Sequence, residues 1–121
     1  MPDELNAQKA LLTWEESAAV LQTDASQGIA RAQRLLAMRY LRGRGVPVDQ
    51  AIAFYWMQLA AQQHFSLAQR SLGELYENGF GIALDMTQAS HWYRLAALQG
   101  DSVAQEHLQR LAQSIHATGP L

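Results

Sequence analysis

Residues 28–63 read GIARAQRLLAMRYLRGRGVPVDQAIAFYWMQLAAQQ, and residues 64–99 read HFSLAQRSLGELYENGFGIALDMTQASHWYRLAALQ. At a shift of 36 residues the two stretches align without a gap and share 14 identities. In the first half of the unit the matches are Ala32/Ala68, Gln33/Gln69, Arg34/Arg70, Leu36/Leu72, Tyr40/Tyr76, Gly43/Gly79 and Gly45/Gly81. In the second half they are Asp49/Asp85, Ala53/Ala89, Trp56/Trp92, Leu59/Leu95, Ala60/Ala96, Ala61/Ala97 and Gln63/Gln99. A period of this length marks a repeat whose units bury their apolar faces against one another. Gly100, Ala104, Gln105 and Leu108 continue the register into a third copy, but Ala112 replaces the tyrosine and no glycine pair follows.

Each unit reads as two helices. Ile29, Ala32, Leu36 and Tyr40 form one apolar stripe along the first helix. Gly43 and Gly79 suit the left-handed position that ends such a helix, and Gly45 and Gly81 keep the following turn tight. Asp49 and Asp85 are suited to cap the second helix, which carries Ala53, Trp56 and Ala60 or their copies Ala89, Trp92 and Ala96. Ser66-x-x-Gln69 and Ser102-x-x-Gln105 have the form of capping boxes opening the second and third copies. The small alanine faces favour close helix approach, with tryptophan filling the gap between units. The expected fold is all-α: an α-α solenoid of stacked antiparallel hairpins forming a right-handed, tetratricopeptide-like superhelix.

Outward from the repeat, residues 1–27 are expected to form an N-terminal helical cap. Within them Thr13-x-x-Glu16 has capping-box form, Trp14–Ala25 reads as a divergent second-type helix, and residues 3–12 could add a short helix capped by Asp3. The repeats occupy 28–63 and 64–99, residues 100–117 form a partial repeat that caps the C-terminal end, and 118–121 are expected to fray.

The composition agrees with this plan. Among 121 residues there are 20 Ala and 17 Leu, against four each of Val, Ile and Thr. Absence of cysteine excludes a disulfide scaffold and thiolate metal sites. A net charge of −2 gives no overall case for nucleic acid. MPDELNAQKALL does not resemble a secretory leader, and no run is long and apolar enough for a membrane span, so a cytoplasmic location without membrane insertion is expected.

The paired glycines, the Asp cap, the Trp and the Ala-Ala closure together resemble the Sel-one-like repeat (SLR) family, a relative of the tetratricopeptide repeat. The resemblance covers about residues 28–112. Ala37 stands where the family usually has Gly, Met57 replaces the aromatic after Trp56, His64 replaces a closing Gly, and Ala83 stands where the first copy has Pro47. The resemblance implies adaptor, assembly or regulatory roles of bacterial type, with the first helices lining a concave surface. Some secreted, cysteine-rich members are linked to binding or hydrolysing cell-wall-type and β-lactam compounds; this chain shares neither their cysteines nor an evident nucleophile–base set.

On that surface the first helix offers Arg31, Arg34, Leu35, Met38, Arg39 and Arg42, with Arg44 in the loop beyond. The second copy offers Leu67, Arg70, Ser71, Glu74, Leu75 and Asn78, and the third Val103, Glu106, His107, Arg110, Leu111 and Ser114. Arginine binds carboxylates through paired hydrogen bonds and methionine adapts to apolar partners, so the surface suits an acidic-apolar protein segment or peptide. A plain solvated helix face is the alternative. A second alternative is internal pairing, because five acids (Asp3, Glu4, Glu15, Glu16, Asp24) and only Lys9 precede Gly28.

Catalytic signals are weak. The Gly-x-Gly pairs lack the rest of a nucleotide-binding motif, and His64, His91, His107 and His116 lack metal-ligand spacing. Glu74 and Glu77 can face one another but more simply meet solvent. The expectation is a non-catalytic interaction module with no cofactor and no metal. A dedicated immunity or chaperone-like masking protein is the alternative role, and homo-oligomerisation through the array ends is open.

Overall fold

The computed structural model describes residues 13–117, and the expected short helix at 3–12 and the tail at 118–121 lie outside them. Six helices follow one another: α1 (Trp14–Ser26), α2 (Ala30–Arg42), α3 (Gln50–Ala61), α4 (Ser66–Asn78), α5 (Met86–Leu98) and α6 (Ser102–Ala117). Each packs on its neighbours in chain order, most extensively within the hairpins α2/α3 and α4/α5. Helix α2 also meets α4, so the first helices of successive hairpins lie side by side.

The turns repeat because their chemistry repeats. Gly43 and Gly79 both close their helices at φ 69°. The next loop is tied by the Asp49 and Asp85 amides donating to the carbonyls of Tyr40 and Tyr76, each at 3.0 Å. Asp49 and Asp85 then cap α3 and α5, accepting from Ile52 N at 3.0 Å and Gln88 N at 3.1 Å. Gly45 and Gly81 do more than tighten the turn. A Cβ at Gly45 would overlap the Trp14 carbonyl, and one at Gly81 would overlap that of Gln50. Trp14 and Gln50 are 36 residues apart and open α1 and α3, so α1 receives its loop as a second-type helix does. The Thr13–Glu16 capping box that begins α1 is formed in both directions.

Three small clusters make up the core. Ala25, Ala32 and Leu36 join α1 to α2, with Trp56 packed against them. Ala37, Ala53, Met57, Ala60, Ala61, Ala68, Leu72 and Leu75 fill the centre, with Trp92 against them. Ala89, Tyr93, Ala96, Ala104 and Leu111 complete the C-terminal end. Each repeated tryptophan therefore bridges to the preceding hairpin or helix, adding large apolar area where alanines let backbones approach.

Three expectations need correction. Ile29 is the N-cap residue of α2 and is 46% exposed, so the core stripe begins at Ala32. Ser66 and Ser102 are the first helical residues of α4 and α6, not caps. Phe65 occupies the α4 cap without a side-chain bond, whereas Asp101 accepts from Ala104 N at 2.8 Å ahead of α6. The glutamines of the supposed boxes reach elsewhere. Gln33, Gln69 and Gln105 donate to the carbonyls of Ala25, Ala61 and Ala97, at 3.1, 3.4 and 3.3 Å. Those carbonyls end the preceding helices and lack intrahelical partners. Gln63 and Gln99 complete the clasp by donating to Gln33 and Gln69, each at 2.8 Å. The 36-residue glutamine pattern thus joins hairpins to one another. His64 stands in the left-handed region at φ 63°, where Gly28 and Gly100 stand at 88° and 95° at the matching links, so the unusual residue there keeps a left-handed link.

Candidate functional site

Two seams divide the face formed by α2, α4 and α6. Along the α4/α6 seam the charged side chains answer one another. Arg70 Nε lies 3.3 Å from Asp101 Oδ2, and its Nη1 lies 3.4 Å from Glu74 Oε1. His107 Nε2 is 3.7 Å from the same Glu74 oxygen. Arg110 grips both oxygens of Glu77, at 2.7 and 2.8 Å, and the buried Tyr93 hydroxyl donates to Glu77 at 2.7 Å. The Arg110 hydrogen bonds hold Glu77 below the usual carboxylate range. Burial first, and then the bond to Glu77, push the Tyr93 phenol well above its ordinary value. Glu77, Tyr93 and Asp101 were not among the residues expected on this face. Identity between the copies does not mark them, because these three stand where the copies differ.

The α2/α4 seam is open. Met38, Leu41, Arg42, Met57, Ser71, Glu74, Leu75, Asn78 and Phe80 line a cleft of about 160 Å³. Arg34 sits at its α2 side and donates from Nε to Ser71 Oγ at 3.4 Å. Burial, followed by the positive field of Arg70, holds the Arg34 guanidinium below its usual range, although it remains charged. Of the expected site residues, Met38, Arg42, Ser71, Glu74 and Asn78 meet in this cleft. Arg70, Glu74, His107 and Arg110 meet across the other seam. Arg31, Leu67 and Glu106 are exposed and Leu35 is half-buried, and none of the four lines the cleft. Leu75 is buried and also lines the cleft, whereas Leu111 is buried in the C-terminal cluster.

Arg39 is taken up by the fold. It donates to the Trp14 carbonyl at 3.3 Å and to Ser17 Oγ at 2.7 Å, and its guanidinium stacks 4.6 Å from the Trp14 ring centroid. Arg44 stacks on the same ring at 5.2 Å. Helix α1 therefore engages the arginine cluster through an aromatic ring, a carbonyl and a hydroxyl. Among the described residues no ion pair joins Glu15, Glu16 or Asp24 to an arginine. Nor do three His, Cys, Asp or Glu side chains gather there as a metal-ion site. No described helix is long and apolar enough to cross a membrane.

Stacked αα-hairpins tied by a 36-residue turn-and-clasp pattern define an α-solenoid repeat protein. More narrowly, the chain belongs to the Sel1 repeat family, whose model matches residues 30–65 and 66–101. The crystal structure of a Sel1 repeat protein from Oxalobacter formigenes is similar to it at 41% identity and a TM-score of 0.75, covering 78% of this chain and 71% of that one. A protective antigen present in uropathogenic Escherichia coli strains, which displays an SLR fold, is similar at 34% identity and a TM-score of 0.75. That match covers 76% of this chain but only 20% of the antigen, so the chain corresponds to a small part of that protein's length. No curated protein matches the chain significantly. Proteins of the family are generally non-catalytic, protein-interaction modules.

Proposed function

We propose that this chain is an adaptor-like module that binds an acidic-apolar protein segment or peptide on the face formed by α2, α4 and α6. The observation that carries the reading is a surplus of charge. Among the described residues, Arg31, Arg34 and Arg42 of α2 have no carboxylate within ion-pair distance. Arginines without a carboxylate partner beside methionine suit a partner that brings both carboxylates and apolar side chains. In this reading α1 and α6 cap the array, and no catalytic step is assigned to it. A cytoplasmic, bacterial-type setting goes with it. Both solved neighbours come from bacteria, and a chain without cysteine gains no disulfide from an oxidising compartment.

The test is affinity capture from lysate with the wild type and with Arg31→Glu, Arg34→Glu and Arg42→Glu combined, with circular dichroism as the check on folding. A specific wild-type partner should be lost from the folded triple variant. Retention of that partner at wild-type yield would move the binding face elsewhere.

A further inference from the structure

The two seams differ in a way that narrows the binding site to one of them. Arg34 and Arg70 occupy matching positions 36 residues apart. Arg70 meets Asp101, whose side chain is only 7% exposed. The position matching Asp101 is Phe65, so Arg34 has no such carboxylate and spends one N–H on a hydroxyl. A partly buried guanidinium with so little compensation is poised for an incoming anion. Directly beside it the cleft has an apolar lining from Met38, Leu41, Met57, Leu75 and Phe80. Its volume, about 160 Å³, falls below the roughly 300–1,000 Å³ of a small-molecule pocket and fits one apolar side chain.

Resting on the interaction reading above, we propose that the α2/α4 seam is an anchor pocket for a protein segment in which a leucine-sized side chain is flanked by carboxylates. The apolar side chain enters the Met38–Met57–Phe80 cleft. A neighbouring carboxylate accepts from Arg34, with Arg42 at the opposite rim. Charge complementarity selects this occupant over a basic segment, since Glu74 is shared with Arg70 and His107. The α4/α6 seam, whose charges are already paired, holds α4 in place and does not bind.

Methionine-methyl NMR tests this directly, because Met38 and Met57 line the cleft while Met86 lies outside it. The probes are acetyl-Glu-Glu-Leu-Glu-Glu-amide and the same peptide with every Glu replaced by Gln. The acidic peptide should shift the Met38 and Met57 methyl signals, leave Met86 in place, and bind roughly five- to ten-fold more tightly than its Gln counterpart. Arg34→Gln should abolish that difference while both peptides still enter the cleft. Met38→Glu, a second variant that leaves the arginine intact, should repel the acidic peptide. The proposal is overturned if the Met38 and Met57 signals stay still, if both peptides bind the wild type equally, or if the acidic preference survives Arg34→Gln. Capture of a partner through Arg31, Arg34 and Arg42 with no methyl response would leave the broader reading standing and remove only the anchor. A methyl response combined with arginine-independent capture would keep the anchor and place the captured partner on another surface.

Discussion

The α2/α4 and α4/α6 seams are built from the same 36-residue register, yet one is open and the other locked. The difference lies in a few substituted positions. Met38 and Ser71 stand where the second seam has Glu74 and His107. Leu41 stands where it has Glu77, and Glu74 stands where it has Arg110. Beneath them, Met57 replaces Tyr93, the residue whose hydroxyl anchors Glu77. Every ion pair of the locked seam thus has at least one partner missing in the open one, and all five of these substituted residues, Met38, Leu41, Met57, Ser71 and Glu74, line the cleft. The scaffold fixes helix spacing through glycines, alanines and glutamines, which leaves seam chemistry free to differ between copies.

The strongest way to break the comparison is at the helix crossing under each seam. Ala37 faces the first hairpin where Gly73 faces the second, and the difference matches Met57 against Tyr93. A Cβ on Gly73 would lie 2.6 Å from the Tyr93 ring and 3.2 Å from the Ala89 carbonyl. Gly73→Ala should therefore destabilise the protein by about 1–3 kcal/mol, the usual range for overpacking. Ala37→Gly should cost about 1 kcal/mol through helix propensity. Adding Tyr93→Met to Gly73→Ala should recover most of the loss in urea unfolding, because it recreates the first hairpin's pairing. A double variant as unstable as Gly73→Ala alone would show that the residues do not compensate.

A smaller effect is expected at the locked seam. Arg110 is half exposed, so Arg110→Ala should cost no more than about 1 kcal/mol, and less at high salt. Glu77 sits below its ordinary value in the folded chain because of that arginine. Its contribution is therefore fully present above the unfolded carboxyl value, near 4.3, and is lost as pH falls through the lower folded value. Thermal melts between about pH 5 and pH 2 should show a steeper acid loss for the wild type than for Glu77→Gln. Equal slopes would mean that the Arg110–Glu77 pair carries no measurable stability.

How much of this was legible in the sequence follows from what repeats. The hairpins, their glycine and aspartate turns and the alanine–tryptophan packing appear twice, and the physics that selects them is local. The glutamines also appear twice, but their partners lie one hairpin back, so a local reading makes them caps. The seams were hardest to read. Arg39 and Arg42 look alike on a helical wheel, yet Trp14 and Ser17 claim the first and, among the described residues, no carboxylate pairs with the second. Asp101 and Glu77 pair across helices, and angular position alone cannot show which arginine each will meet. The informative signal was the set of positions where the copies disagree, since that is where one seam gains charge partners and the other gains a cleft.

The sharpest test of the comparison has the smallest expected effect on stability. Phe65→Asp gives Arg34 the carboxylate that Asp101 gives Arg70. It also gives α4 the side-chain cap that Phe65 cannot provide, a gain of about 0.5–2 kcal/mol. Against this stands the loss of a half-buried phenylalanine from the central cluster, worth less than the roughly 1.5–3 kcal/mol of full burial. The opposing contributions are of similar size, so the net change should stay within about 1 kcal/mol. Binding should respond far more, because the new aspartate would occupy the guanidinium meant for a partner. The acidic peptide should then lose its advantage over the Gln peptide while both still move the Met38 and Met57 signals. An acidic preference unchanged in a stable Phe65→Asp variant would mean that Arg34 does not read the carboxylate, and that the missing aspartate is not what separates the two seams.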